Sequence, residues 1–125
     1  MKIQRELGAG LNVIRSYEPA RITVNQDTYT TSLIVTPERI VPDWRPREFA
    51  ELTAGDFEVI AALGPEVVLL GTGKRLRFPD PALTRALVTA NIGIEVMDTG
   101  AACRTYNVLM SEGRRVAAAL LPIDG

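Results

Sequence analysis

A glycine-flanked basic turn in the second half of the chain contains the residues best suited to bind an anion. It lies in the stretch VVLLGTGKRLRF, residues 67–78. A nucleotide P-loop ending at Gly73 and Lys74 would need glycine at position 68 and a hydroxyl at position 75, but these residues are Val68 and Arg75. The dinucleotide fingerprint fails as well, since its third glycine is missing. The turn therefore predicts either a loop for an anion or polar ligand, or a strand-terminating turn with solvated charges.

A second candidate is the segment MDTGAA, residues 97–102. Its Asp-Thr-Gly-Ala core matches the residues around the catalytic aspartate of retroviral-type aspartic proteases, in which two such carboxylates share a proton. Those proteases have a glycine-rich flap and several strands after the motif, whereas only 27 residues follow Asp98 here. The segment therefore favours Asp98 or Thr99 as the N-cap of a helix, alone or combined with a binding role.

The predicted helix after Asp98 has an apolar and a polar side. The apolar stripe follows helical spacing and consists of Ala102, Cys103, Tyr106, Leu109 and Met110. The polar side carries Arg104, Asn107, Val108 and Ser111. Cys103 is predicted to be an inert core residue, because it lies on the stripe and the chain has no histidine base. Arg104 and Asn107 are open to two interpretations, solvated polar residues or ligands for a carboxylate or partner group.

The elements that would position these residues change character along the chain. Residues 11–41 consist of β-type runs, one of which is TYTTSLIV, residues 28–35. Pro42 restricts the next strand to a sheet edge. The second half alternates predicted helices (Thr53 to Leu63, Asp80 to about Ala90, Asp98 or Thr99 to about Glu112) with the strands EVVLLG, GIEVMD and RVAAALLPI. A β-rich N-terminal half followed by alternating helices and strands predicts an α/β fold with parallel neighbouring strands.

The two candidate turns are predicted to lie at one edge of this sheet. If EVVLLG and GIEVM are parallel neighbours, their carboxyl ends point the same way, and ligands of open α/β sheets bind at that edge. The helix after Asp98 would also offer unpaired amides there. We therefore expect a polar pocket between the GTG turn and the start of this helix. Its predicted ligand- or partner-binding residues are Gly71, Thr72, Gly73, Lys74, Arg75, Asp98, Thr99, Arg104 and Asn107.

A tryptophan in the first half is a third candidate for a surface role. Trp44 is followed by Arg45, Pro46 and Arg47 in what reads as a loop. An aromatic anchor beside arginines is typical of a partner hot spot. The interpretation we favour is a tryptophan lid over the core.

Composition restricts the class of protein. The 125 residues, 46% of them hydrophobic, suit one domain over residues 1–125. The net charge of −1 argues against nucleic acid as a partner, and a single cysteine without histidine argues against a disulfide or a zinc site, so we expect no metal or cofactor. No apolar run approaches the roughly 20 residues of a membrane span. The start, MKIQRELGAG, lacks the apolar core of a signal peptide, so we expect a cytoplasmic protein.

The motifs VVLLGTGKRLRFP and GIEVMDTGAACRTYNVLMSEGRRVAAALL together resemble a known family. It is the domain-of-unknown-function family that includes mitochondrial NADH dehydrogenase (complex I) assembly factor three and small archaeal and bacterial proteins. The resemblance covers most of residues 20–122 and implies a three-layer α/β domain with a mixed central sheet. Residues that match the family's shared positions are Gly71, Thr72, Gly73, Asp98, Thr99, Arg104, Tyr106, Asn107 and Arg115. The resemblance gives none of them a catalytic role.

The expected function follows from these exclusions and from the resemblance. The mitochondrial members of the family resemble scaffolds that bind other assembly proteins, so we expect a small interaction module with a protein partner, an assembly helper for other proteins. The chain lacks the N-terminal extension of an imported protein, which favours a prokaryotic member over a respiratory role. The alternative is an enzyme or binder for a small anionic metabolite, with Lys74, Arg75 or Arg104 as the anion clamp and Asp98 as an acid or base. A homo-oligomer with a purely structural role is a third interpretation.

Overall fold

A computed structural model describes residues 10–124 of the chain. The prediction that no leader begins the chain falls on residues 1–10, and nearly all of that segment lies outside the described residues. Within residues 10–124, no helix combines the length and the apolar character that a membrane crossing requires.

The first part of the chain forms a small antiparallel sheet. Its strands are β1 (Ile14–Glu18), β2 (Arg21–Val24) and β3 (Asp27–Tyr29), in the order β1-β2-β3. A two-residue turn joins β2 to β3, and its first residue, Asn25, has a φ of +57°. Asparagine tolerates this left-handed conformation better than most residues, which suits Asn25 to the turn.

A five-stranded mixed sheet forms the centre of the fold. Its strands are β4 (Leu33–Val35), β5 (Ile40–Pro42), β6 (Val67–Gly71), β7 (Gly93–Met97) and β8 (Val116–Leu120). The order is β5-β4-β8-β6-β7, with β6 parallel to both β7 and β8 and with β4 antiparallel to β5 and β8. The predicted parallel pair of β6 and β7 is confirmed. The strand that ends in Pro42 lies at the sheet edge, where a missing amide hydrogen costs no ladder bond.

The run TYTTSLIV does not form one strand. Its first residues belong to β3 of the small sheet and its last three residues form β4 of the central sheet. The chain changes sheets at residues 30–32, where the carbonyl of the buried Ser32 accepts the amide of Trp44. The run is uniformly rich in β-forming residues, so nothing in it marks the change of sheet.

Three α-helices and two 3-10 turns complete the described part of the fold, residues 10–124. The helices are α1 (Ala54–Ala61), α2 (Arg85–Thr89) and α3 (Thr99–Ser111). The 3-10 turns cover Phe49–Glu51 and Pro81–Thr84. The helix predicted from Asp80 to about Ala90 therefore begins as a 3-10 turn, while the predicted N-cap is correct, since Asp80 accepts the amide of Ala82 at 2.9 Å.

The helices and the small sheet cover the two faces of the central sheet and produce three layers. On one face, α3 and the small sheet pack against residues such as Val67, Leu69 and Leu120. On the other face, α1, α2 and Trp44 cover residues such as Val68 and Leu70. Because both faces are covered, β6 and β8 are buried at every position, which explains their unbroken apolar sequences. The fold is a three-layer α/β arrangement around a mixed sheet.

The segment that contains Trp44 is tied to the start of α1. Trp44 is buried, packs edge-on against Phe57, and donates its indole N–H to the carbonyl of Asp56. Arg45 binds both carboxylate oxygens of Asp56, at 2.9 and 2.8 Å. The amide of Thr53 donates to the same carboxylate at 2.8 Å. The tryptophan is thus part of the core, as predicted, and its arginine neighbour holds the N-terminus of α1.

The carboxylate of Asp56 predicts a pH dependence of folding. Burial alone would raise its pKa, but the hydrogen bonds from Arg45 and Thr53 outweigh burial and hold the pKa below its ordinary value. A lowered pKa stabilises the fold above the unfolded pKa, about 3.9, and this contribution is lost as the pH falls through the lower folded pKa.

We expect Asp56→Asn to lower the free energy of unfolding by about 1–3 kcal/mol at pH 7, because it removes the charged acceptor of a nearly buried network. The deficit relative to wild type should be smaller in urea titrations at pH about 3, below the unfolded pKa, because the unfolded carboxylate then binds a proton and part of the stabilising contribution is lost. Glu58→Gln, a change of an exposed carboxylate on the same helix, serves as the control and should have little effect. An equal deficit for Asp56→Asn at both pH values would contradict the prediction.

Candidate functional site

The GTG turn and the start of α3 meet at one edge of the central sheet, as the sequence predicted. Gly71 at the end of β6 is paired with Met97 at the end of β7. Immediately beyond the strands, the amide of Thr72 donates to the carbonyl of Met97 at 2.9 Å. The amide of Thr99 donates to the carbonyl of Gly73, also at 2.9 Å. These bonds bring the two turns into direct contact.

The side chain of Thr99 occupies the space between the two turns. Its hydroxyl accepts the amide of Gly73 at 2.8 Å and donates to the carbonyl of Leu121, which follows β8, at 2.7 Å. Thr99 has no exposed surface. A single hydroxyl therefore satisfies one buried donor and one buried acceptor, and it links the ends of three neighbouring parallel strands.

The close approach of the two turns accounts for the two glycines. A Cβ on Gly71 would lie 3.0 Å from the Cα of Thr99, a backbone atom that cannot move aside. Gly73 has a φ of +97°, a left-handed conformation that side-chain-bearing residues rarely adopt. Packing and backbone conformation thus account for the two glycines of the GTG turn, whether or not a ligand binds there.

A cavity opens on the side of the GTG turn that faces away from α3. Its volume is about 250 Å³. Three cations (Lys74, Arg75 and Arg77) line it together with two carboxylates, Glu48 and Asp124. The backbone of the turn forms part of the wall, but neither Asp98 nor Thr99 contributes to it. Four of the nine predicted site residues therefore line this cavity, namely Thr72, Gly73, Lys74 and Arg75. Gly71, the last residue of β6, is not part of its wall.

Asp98 is used as a helix cap. It has the extended backbone of an N-cap, and its Oδ1 accepts the amide of Ala101 at 2.9 Å. This agrees with the predicted capping role, and the hydrogen bond accounts for one of the amides that the start of α3 leaves unpaired.

Arg104 and Asn107 contact the small sheet instead of the GTG turn. Asn107 accepts the amide of Ile14 at 2.9 Å and donates to the carbonyl of the same residue at 2.8 Å, which imitates one rung of a β-ladder. Arg104 donates to the hydroxyl of Tyr17, and its guanidinium lies 5.8 Å from the centroid of that ring. Both side chains join α3 to β1, and neither lines the cavity.

The two groups on the apolar side of α3 that could react are buried. Burial raises the pKa of the Cys103 thiol to about 12, so the thiol is protonated near neutral pH. Burial also raises the pKa of Tyr106, whose hydroxyl donates to the carbonyl of Asn12 at 2.8 Å. Among residues 10–124, no group of three or more Cys, Asp or Glu side chains lies close enough to hold a metal ion.

Sequence reasoning missed the apolar residues beside the turn. Leu76 and Phe78 are exposed, at 51% and 71% of their surface, and Phe49 lines the cavity. The alternation of cationic and apolar residues through KRLRF, residues 74–78, was the available signal. Phenylalanine is more often buried than exposed, so its presence in this stretch does not by itself indicate an exposed side chain.

The Thr99 hydroxyl can be tested by two substitutions of different chemistry. Thr99→Val keeps the shape but leaves the buried amide of Gly73 and the carbonyl of Leu121 without a partner. We expect it to lower the free energy of unfolding by about 2–4 kcal/mol. Thr99→Ser keeps the hydroxyl and loses one buried methyl, which should cost about 1 kcal/mol. Urea unfolding measures both values, and equal losses for the two variants would show that the hydroxyl is not the stabilising group.

Comparison with known proteins places the chain among related sequences. A family model described as "Protein of unknown function (DUF498/DUF598)" matches residues 14–121. A Bordetella parapertussis protein of known crystal structure is 43% identical, with a TM-score of 0.86 over 91% of this chain and 98% of that chain. Bovine (Bos taurus) NADH dehydrogenase (ubiquinone) 1 alpha subcomplex assembly factor 3 is 34% identical over 98% of this chain and 67% of its own length.

A bacterial relative of matching length bears a different name. The 13 kDa major membrane protein of Francisella tularensis is 24% identical over 97% of this chain and 99% of its own length. The chain spans about two thirds of the length of the assembly-factor relatives, between 58% and 69%. Because the family match includes both motifs and nearly the whole described fold, the chain belongs to the family of proteins of unknown function designated DUF498/DUF598.

Proposed function

We propose that this chain is an interaction module that binds another protein and helps to assemble it. One observation carries the proposal. At the edge where the two turns meet, the side chains of Asp98 and Thr99 are engaged in hydrogen bonds within the fold, while the neighbouring loop exposes Leu76 and Phe78. The relatives named as assembly factors support the same role.

The hydrogen bonds of the predicted site support binding over catalysis. A general acid or base must be free to reach a substrate proton, and a nucleophile must be accessible and activated. Asp98 is a helix cap, Thr99 and Cys103 are buried, and Asn107 is paired with the backbone of β1. The exposed groups of this edge are instead cations and apolar side chains, which are typical of contacts with a partner. We place this activity in the cytoplasm as part of the proposal.

A strain that lacks the gene provides the test of an assembly role. We expect at least one multisubunit complex to accumulate as smaller subassemblies on native gels, and the wild-type gene on a plasmid to restore the full complex. A tagged copy of the chain should copurify with a subunit of that complex in a stoichiometric amount. Thr99→Ser, which is expected to fold, serves as a positive control and should capture the same subunit as wild type. Normal complexes in the deletion strain together with an empty capture at high bait occupancy would refute the proposal.

The alternative function is the binding of a small anionic metabolite in the cavity. It is favoured by the three cations that line a space of about 250 Å³ beside the GTG turn. The two carboxylates in the same wall weaken it, because they repel an anion that enters.

Thermal unfolding with a panel of anionic metabolites separates the two functions. A ligand present at 100 times its dissociation constant stabilises a protein by about 2.7 kcal/mol, which is a readily measured shift. We expect no saturable shift with phosphate, carboxylate or nucleotide compounds. A saturable shift that disappears in Arg75→Ala, with the exposed Arg85→Ala as the control, would favour the metabolite and count against an exclusively protein-binding role.

A further inference from the structure

We infer that residues 74–78, here named the basic loop, form the docking surface for an acidic protein segment that also carries apolar side chains. This inference rests on the proposed function, since it assumes a protein partner, and it adds where the partner binds and which chemistry it presents. The basic loop leaves the GTG turn and runs towards the 3-10 turn Pro81–Thr84.

The apolar side chains of the basic loop are the first part of the argument. Phe78 is 71% exposed, more than any other large apolar residue that the structure describes, and Leu76 is 51% exposed. A phenylalanine side chain gains about 1.5–3 kcal/mol of stabilising free energy when it is fully buried rather than exposed to water. Two such residues two positions apart give a partner an apolar anchor, and aromatic anchors are enriched where binding energy concentrates.

The basic loop is held in a defined conformation, although it contains no helix or strand. The hydroxyl of Thr72 donates to the carbonyl of Arg75 at 2.6 Å and accepts the amide of Arg77 at 3.3 Å. The guanidinium of Arg77 lies 5.5 Å from the centroid of the Phe49 ring. A loop that is fixed before binding loses less conformational entropy in the complex, so its exposed side chains can contribute more of their energy to affinity.

The charges of the loop select the chemistry of the partner. Lys74, Arg75 and Arg77 line the cavity, while Leu76 and Phe78 lie outside its wall. Five residues span at most about 18 Å, so the basic loop occupies only part of an interface to which each partner contributes roughly 800 Å². One partner therefore covers both the cationic and the apolar side chains, and carboxylates beside its own apolar residues complement the three cations.

The surroundings of the loop favour a protein over an anionic lipid surface. Glu48 and Asp124 line the same cavity as the three cations. A membrane surface presents uniform negative charge and meets repulsion from these carboxylates, whereas a protein segment can place its acidic groups opposite the cations alone. The concave wall suits an inserted side chain better than a flat layer of headgroups.

The test compares capture of the partner by matched variants of the full chain. Phe78→Ser and Arg75→Glu alter the basic loop, while Val88→Ser and Arg85→Glu make the same changes at exposed positions of α2. We expect the two loop variants to recover about tenfold less of the wild-type partner, and the α2 variants to recover the wild-type amount. Since all four side chains are exposed, thermal unfolding transitions should coincide with wild type, which shows that the variants fold.

A photo-crosslinking amino acid at position 76 then identifies the bound segment. We expect the crosslinked peptide of the partner to contain acidic residues next to apolar ones, and the recovery of the partner to fall as ionic strength rises. A crosslinked peptide that is neutral or basic overturns the inferred chemistry. Equal recovery of one partner by all variants overturns the docking surface and leaves the proposed function intact, whereas no stoichiometric partner for any variant, wild type included, contradicts both.

Vesicles of phosphatidylcholine and phosphatidylglycerol in a ratio of about three to one separate the protein partner from a lipid surface. We expect the wild-type chain to remain in the supernatant when such vesicles are sedimented. Sedimentation of the wild type that is abolished in both Phe78→Ser and Arg75→Glu, but not in Val88→Ser, would assign the loop to a membrane and overturn the inference.

Discussion

The hydrogen bonds of one buried hydroxyl, that of Thr99, determine how the edge with the candidate site is built. Three parallel strands, β8, β6 and β7, end side by side. Where the chain leaves each strand, its buried N–H and C=O groups need hydrogen-bond partners. Thr99 solves this by accepting from Gly73 and donating to Leu121, at the points where the chain leaves β6 and β8. The first residue of α3 thereby joins two neighbouring segments at once, and opening the GTG turn around a ligand would break these bonds.

Because the bonds of Thr99 hold the GTG turn, the exposed apolar residues Leu76 and Phe78 lie in the basic loop that follows this turn. With the turn fixed, the hydroxyl of Thr72 extends the same order into the basic loop through its bonds to Arg75 and Arg77. Phe78 directly follows the last of these bonded residues, Arg77. An exposed aromatic side chain contributes no free energy of burial to the isolated chain. It contributes that free energy to binding where another protein covers it.

Sequence patterns predicted the layered fold and the meeting of the two turns, because both follow from local information. An apolar run such as VVLL indicates a strand covered on both faces, and parallel strands share an edge. What a side chain does at that edge depends on contacts distant in sequence. Asn107 pairs with Ile14, 93 positions away, and Thr99 with Leu121, 22 positions away. The sequence pattern of a helix is the same whether a polar residue faces solvent or bonds to a backbone group distant in sequence. The sequence alone therefore could not predict the contacts of Asn107 and Thr99.

The pairing of Asn107 is also the reason that the proposed binding surface does not include the polar side of α3. A three-stranded sheet of short strands needs an apolar face packed against other structure, and β1 obtains it from α3. The polar side of the helix fixes the position of β1 through Asn107 and through Arg104, which binds Tyr17. A partner that used these side chains would have to break the bonds that join α3 to β1. A partner that binds the basic loop need not break such bonds. The Thr72 hydroxyl holds the loop through backbone groups, and the side chains of Lys74, Leu76 and Phe78 stay exposed.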